Sequence, residues 1–387
     1  MKVLIYGYYG TSNTGSDARL NVIINDIKKV NNNAKITVAV MNEYDEKVIP
    51  NDVKTLKIPF IPIISTIIIM FYSIFYDIII NGEGIPYTDF CGKGFLALFL
   101  PVLFISNLLG KKTVSYSFDI DHLTKLDAFI TKKVLKKTDL LIARTKSTKL
   151  KLERDFGLSN VYLGSDCAYL FNNVKNVKKK NTISISIKDF FCYPIKFSLI
   201  GDKKDLYRYP YYYKYHNNGK EKYNNFVKEF SGFIKWLSKD YHVNLIVMED
   251  FMDKKINLDL IKHLKDSKNI SFFSSSEYNP FQIKKILTES KIIISSRLHA
   301  LILSTDGNVP FIGISNDERI HYFFKEYNLE ELCLDYFESN LINKLKQKIN
   351  YIETNYNDIS KIIEDKTNNL KTRADKNHKI LKYAFHS

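Results

Sequence analysis

The chain has 387 residues, 45% of them hydrophobic and including 26 Phe and 26 Tyr, so it exceeds one ordinary core and its composition excludes a disordered chain. Lys and Arg outnumber Asp and Glu by 57 to 42, a formal charge of +15, which favours anionic partners such as phosphorylated small molecules, acidic polymers or an anionic membrane. The widely spaced Cys91, Cys167, Cys192 and Cys333 argue against a disulfide framework and a paired-cysteine zinc site, and no nucleic-acid-binding signature accompanies the lysine runs.

The opening MKVLIYGYYG lacks the long apolar core and cleavage site of a secretory signal, so a cytoplasmic protein is expected, or one at the inner face of the membrane. Val3, Leu4, Ile5 and Tyr6 read as a strand that runs into Gly7. A helix patterned on Leu20, Ile23, Ile24 and Ile27 follows, then a strand at residues 36–40. Strand, helix and strand in this order wind a parallel sheet.

Residues 63–80, IISTIIIMFYSIFYDIII, are long enough to test as a membrane span. Asp77 interrupts them and Asn81-Gly-Glu-Gly84 follows, so 77–80 reads as a buried strand and 63–76 as a helix too short to span. A second apolar segment, 95–109, contains Pro101 and precedes a strand at 113–116. Both segments fit buried helices, with a membrane-facing surface built from them as the alternative. Further strands are expected at 140–143 and 161–163.

The polar stretch 172–181, NNVKNVKKKN, marks a domain boundary. Beyond it the sequence predicts a strand at 182–187, a tyrosine-rich insertion at 206–223, a helix at 226–237, a strand at 243–248 and a helix at 258–264. Strands at 270–273 and 292–295, a helix after Arg297, a strand at 309–314 and a charged helical tail complete the chain. The organisation is an N-terminal Rossmann-like domain (1–175), a C-terminal Rossmann-like domain (176–340) and a helical segment (341–387). The fold class is α/β, with two Rossmann-like domains facing a cleft.

Two segments carry candidate chemistry. In the loop Gly7-Tyr-Tyr-Gly10-Thr-Ser-Asn13-Thr-Gly15-Ser-Asp17, a glycine turn and a helix start favour an anion, which makes Gly10, Asn13, Gly15 and Asp17 candidate substrate ligands. The glycine spacing is not that of a dinucleotide loop. The bland alternative is a tight turn capped by Ser16 or Asp17. In 292–323, IIISSRLHALILSTDGNVPFIGISNDERIHYF, a strand delivers Arg297 and His299 to a helix start. Arg is a fork suited to carboxylate or phosphate and His exchanges protons near neutrality. At such a corner the two can converge on one ligand. Asp317 lies in the loop after the next strand, where open α/β sheets place ligands.

The pattern SRLHALILS followed by VPFIGIS and an Asp resembles the C-terminal motif of polysaccharide pyruvyl transferases, and GYYGTSNTGSDARL resembles their N-terminal glycine loop. Residues 77–84, ending in NGEG, resemble the family's strand and glycine turn, which points to Gly84. Ala143-Arg144-Thr-Lys-Ser147 resembles its arginine-and-serine helix start, and Ser165-Asp166 its following Asp. Two departures are Glu83, in place of a glycine, and Phe118-Asp-Ile-Asp121, where a glycine-rich loop is expected. The resemblance implies a glycosyltransferase-B-like fold and transfer of a pyruvyl group as a ketal from phosphoenolpyruvate, a donor substrate and not a cofactor, onto a sugar of a cell-surface polysaccharide or its precursor. The acceptor would be a glycan or lipid-linked sugar, with peripheral membrane association and no nucleic acid or metal. On that reading Arg297 grips the donor, His299 is the general acid or base, and Lys188, where the family tends to carry Arg, is a third anion contact. The alternatives are a sugar-nucleotide glycosyltransferase on the same scaffold and an inactive relative that binds a glycan or membrane.

Overall fold

The computed structural model describes residues 1–41, 48–89, 96–174, 177–192, 198–201, 203–204, 212–215, 218–264 and 267–386. The first domain runs β1 (Lys2–Tyr6), α1 (Thr14–Val30), β2 (Lys35–Met41), β3 (Lys54–Ile58), α2 (Pro62–Ser73), β4 (Ile78–Asn81), α3 (Leu96–Leu108), β5 (Lys112–Phe118), α4 (Lys125–Leu135), β6 (Leu140–Ala143), α5 (Lys146–Arg154) and β7 (Val161–Leu163). Its described strands form a parallel sheet in the order β3-β2-β1-β4-β5-β6-β7. Helices cover both faces, which is why the strands are apolar without alternation. Val3 and Ile5 join the core beneath α1, while Leu4 and Tyr6 join the core beneath α2 and α3.

The second domain comprises β8 (Thr182–Ser186), the short antiparallel pair β9 (Lys203–Lys204) and β10 (Tyr212–Tyr213), α6 (Gly219–Leu237), β11 (His242–Val247), α7 (Asp250–Lys262), β12 (Ile270–Ser274) and α8 (Pro280–Glu289). It continues through β13 (Ile292–Ser295), α9 (Leu298–Ser304), β14 (Phe311–Ser315), α10 (Glu318–Tyr327) and β15 (Cys333–Asp335). The parallel order is β12-β11-β8-β13-β14-β15. In each sheet the order reverses beside the first strand, between β1 and β4 and between β8 and β13, and ligands of doubly wound sheets sit at such points.

The tail is α11 (Leu341–Thr354) and α12 (Tyr356–His386). It is no separate body. Helix α11 packs on α6 of the second domain, and α12 crosses back to pack on α1, β5 and β6 of the first. The crossing is fastened by buried charge: Lys284 of α8 and Lys371 of α12 both pair with the buried Asp306, the latter at 2.5 Å, and Lys371 also donates to Asn173 Oδ1 at 2.7 Å.

Several expectations are adjusted. Helix α6 begins at Gly219, inside the stretch read as a tyrosine-rich insertion, and residues 206–211 and 216–217 of that stretch lie outside the described ones. Helix α2 is buried on one side only: Ile63, Ile64, Ile67, Phe71 and Tyr72 are exposed. Among the described residues no helix is long and apolar enough to cross a membrane.

Candidate active site

The glycine loop after β1 does not present an anion cradle. Asn13 caps α1, its Oδ1 accepting from Gly15 N at 3.1 Å and Ser16 N at 3.2 Å, while Thr14 N donates to Met248 O at 2.9 Å and Asp17 N to Asn13 O at 3.0 Å. The amides that would hold an anion are therefore occupied, and the cap is Asn13 and not the Ser16 or Asp17 of the alternative reading. Gly10 serves the turn: its φ is +77° and a Cβ there would lie 2.7 Å from Met41 O. The loop docks the domains together, since Ser12 O accepts from Asp250 N at 3.2 Å and from Ser275 Oγ at 2.6 Å.

Behind that loop lies a buried charge cluster built from four first-domain segments and one from the second. Arg19 of α1 donates Nη1 to Asp166 Oδ1 at 3.0 Å and Nη2 to Ser117 O at 2.8 Å. Ser117 adopts φ +51° where β5 slips register against β6, and this turn presents its carbonyl. Arg144, after β6, donates Nη1 to Asp166 Oδ2 at 2.8 Å and Nε to Asp119 Oδ2 at 2.5 Å, and its buried Nη2 has no hydrogen-bond partner. Gly84 leaves room for both guanidinium groups; a Cβ would stand 3.0 Å from Arg144 Nη1 and 3.4 Å from Arg19 Nε. Burial works against ionisation of Asp166, yet Arg19, His299 and Arg144 hold it well below the usual carboxylate range.

His299 of α9 reaches this cluster from the second domain. Its Nε2 stands 3.5 Å from Asp166 Oδ2, buried and without a hydrogen bond of its own, and the side chain is 21% exposed. Burial pushes the imidazole below its ordinary value, with Asp166 opposing the shift. It is thus poised to be neutral near pH 7, the form that accepts a proton.

Arg297, at the start of α9, turns the other way. Its Nε donates to Asp253 Oδ2 at 2.8 Å, its Nη2 to Asp253 Oδ1, and its Nη1 pairs with Glu249 Oε2 at 2.7 Å. Arg297 and His299 therefore do not converge as expected. The strand-to-helix corner sends one along its own sheet and the other across the cleft. Asp253 is fully buried, and burial pushes its carboxyl up although Arg297 opposes this. Buried Lys188 donates its backbone N to Ser296 Oγ at 2.6 Å, and its charge bears on both Asp253 and Asp317. Asp317 caps α10 and accepts from Arg319 Nε at 2.8 Å; burial opposes its ionisation, but Arg319 and Lys188 hold it far below the usual range.

A cavity of about 60 Å³ between the domains is lined by Asp119, Arg144 and Asp166 on one side and by Leu298, Arg319 and Tyr322 on the other. It opens beside a larger recess of about 430 Å³ bordered by Asp121, Ser147, Leu150, Lys151, Arg154 and Tyr322. Neither His299 nor Arg297 lines these spaces. Sequence reasoning had not ranked Arg19, Asp119, Arg144 and Arg319 as site residues. The available signal was an arginine amid the buried face of α1 and another directly after a buried strand.

The model of the family described as polysaccharide pyruvyl transferase matches residues 13–318. No curated protein matches by sequence. Among solved structures, a putative UDP-N-acetylglucosamine 2-epimerase from Listeria monocytogenes is similar at TM-score 0.63 and 10% identity, covering 97% of this chain and 96% of that one. A UDP-GlcNAc 2-epimerase from Neisseria meningitidis, bound to UDP-GlcNAc, gives 0.61 at 13% over 100% and 99%. A glycosyltransferase from Rickettsia africae gives 0.56 at 13% over 99% and 98%. At these identities the likeness establishes the glycosyltransferase-B-like fold alone.

Proposed function

The chain belongs to the polysaccharide pyruvyl transferase family, and we propose that it moves the pyruvyl group of phosphoenolpyruvate onto two hydroxyls of one sugar in a cell-surface glycan or its lipid-linked precursor. The enol methylene gains a proton and becomes a methyl group, the C2–O bond to phosphate breaks, and two sugar oxygens bond to C2. Of the two hydroxyl protons, one balances the new methyl group and the other leaves with phosphate.

His299 takes up a hydroxyl proton and returns one to the methylene. Arg144, through Nη2, and the neighbouring Arg19 offset the negative charge of donor and leaving group. Arg297 and Lys188 hold donor anions only by exchange with Asp253, Glu249 or Asp317, since those carboxylates already face them. The observation that carries this reading is His299, poised neutral beside Asp166, the carboxylate that two buried guanidinium groups of the other domain also hold. Incubation with phosphoenolpyruvate and candidate glycans, with released phosphate as readout, tests it. His299→Ala and Arg297→Ala should abolish release, and unchanged turnover in both would overturn the assignment.

The fold likeness to nucleotide-sugar enzymes supports a second reading, glycosyl transfer from a sugar nucleotide. That reading expects a UDP-sugar, and not phosphoenolpyruvate, to raise the melting temperature.

A further inference from the structure

We infer that the outer face of α2, α3 and α4 docks onto an anionic lipid bilayer. Helices α2 and α3 contain no charged residue, PIISTIIIMFYS and LALFLPVLFISNL. Their inner sides fill the core against the first sheet, but α2 turns a stripe at four-residue spacing outward. Ile63, Ile67 and Phe71 of the helix and Phe75 in the turn after it are 68, 56, 58 and 55% exposed, and Phe71 stacks edge-on with Tyr72 and Phe75. Leu126, Phe129 and Ile130 of α4 and Leu108 and Leu109 at the end of α3 are exposed as well. These ends are tied together: Lys111 Nζ donates to Ile74 O at 2.7 Å and Asn107 Nδ2 to Lys137 O at 2.5 Å. A contiguous apolar surface of this kind marks an interaction site.

Charge selects the occupant. Residues 125–137, KLDAFITKKVLKK, hold five lysines against one aspartate, and Lys54 and Lys57 are exposed on the edge strand at the other flank. Lys133 lies over the Phe129 ring at 4.4 Å and Lys137 over Phe104 at 5.3 Å, so the ammonium groups surround apolar side chains as they do at a lipid interface. An apolar centre with a basic rim complements acyl chains and anionic headgroups. In a symmetric dimer through the same face, lysines would meet lysines.

The face adjoins the cleft. Helix α4 starts four residues after Asp121, which borders the larger recess together with the exposed Leu150. Docking therefore brings the mouth of that recess to the headgroup layer, where a sugar on a lipid carrier would be held; this last step rests on the proposed transferase reading.

Co-sedimentation with phosphatidylcholine vesicles, with and without phosphatidylglycerol, tests the inference. Binding should require phosphatidylglycerol and decline with salt. Lys132→Ala/Lys136→Ala should weaken it roughly thirtyfold, Phe71→Ser/Phe75→Ser should abolish it, and Tyr351→Ser on α11 should leave it intact. Binding that ignores phosphatidylglycerol or survives the phenylalanine substitutions would overturn it, as would self-association in solution that those substitutions break. Phosphate release from phosphoenolpyruvate is read separately: vesicle binding by a protein without turnover keeps this inference and removes the catalytic one.

Discussion

Gly15 and His299 belong to different domains, and the absence of a side chain at one is what admits the other: a Cβ on Gly15 would lie 2.2 Å from His299 Nδ1 and 2.8 Å from its Cβ. The helix start that looked like an anion cradle is thus a seat for an imidazole. Gly15→Ala forces the ring from Asp166. Phosphate release should fall at least about tenfold, with a stability loss of about 1–3 kcal/mol from overpacking, measured by turnover and thermal melting. Wild-type turnover in this variant would show that the seat is not needed for chemistry.

The His299 imidazole titrates below its ordinary value because of burial. If it acts as the base, the acid limb of the pH–rate profile should lie below pH ~6.5. The unfolded chain then binds more protons than the folded one between the two pKa values, so the contribution of His299 to stability is present above pH ~6.5 and lost as pH falls through the folded value. Asp166 is the group that opposes the shift, so Asp166→Asn should move the limb to lower pH. A limb that moves upward, or stays put, would separate His299 from the rate.

Arg297 pairs with Glu249 and Asp253, and Asp253 is fully buried. Removing the guanidinium leaves that buried carboxylate without its hydrogen-bonded counter-ion, with only the charge of Lys188 to offset it, so Arg297→Ala should cost about 3–5 kcal/mol in chemical denaturation. Arg297→Ala/Asp253→Leu should recover much of it. If Arg297→Ala melts like the wild type yet cannot turn over, its carboxylate partners are incidental and donor contact is its main role.

Asp306 gathers Lys284 and Lys371 in a buried trio. Asp306→Asn leaves a buried ammonium without its counter-charge and should lower stability by about 3 kcal/mol or more. Amide exchange should accelerate in α12 first, because Lys371 is its link to the trio. Uniform acceleration across both domains would contradict a local latch.

The buried strands were legible because apolar runs bounded by glycine or polar turns have few alternatives in an α/β chain. The edge strand β3, KTLKI, was not, because it is mostly solvent-facing and lacks such a run; nor was β15, only three residues long. His299 could be singled out from its place after a strand. Asp166 was singled out too, through the resemblance of Ser165-Asp166 to the family's Asp, but its pairing with His299 was not, because the two lie in different domains and no local spacing reports that contact. The same holds for Arg297, whose orientation is decided by Asp253, 44 residues away. The departures at Glu83 and Asp119 also acquire reasons, since Glu83 Oε2 accepts from Tyr8 N at 3.1 Å and Asp119 anchors Arg144.

The return of α12 to the first domain means that the chain passes between the domains twice. The described part of the outward pass, residues 171–174 and 177–181, lies beside the returning one at Asp306, where Val174 N donates to Asp306 Oδ2 at 3.4 Å and Lys371 bonds Asn173. Both crossings of the chain thus meet at one carboxylate, so a single buried charge fastens the linker and the returning helix together.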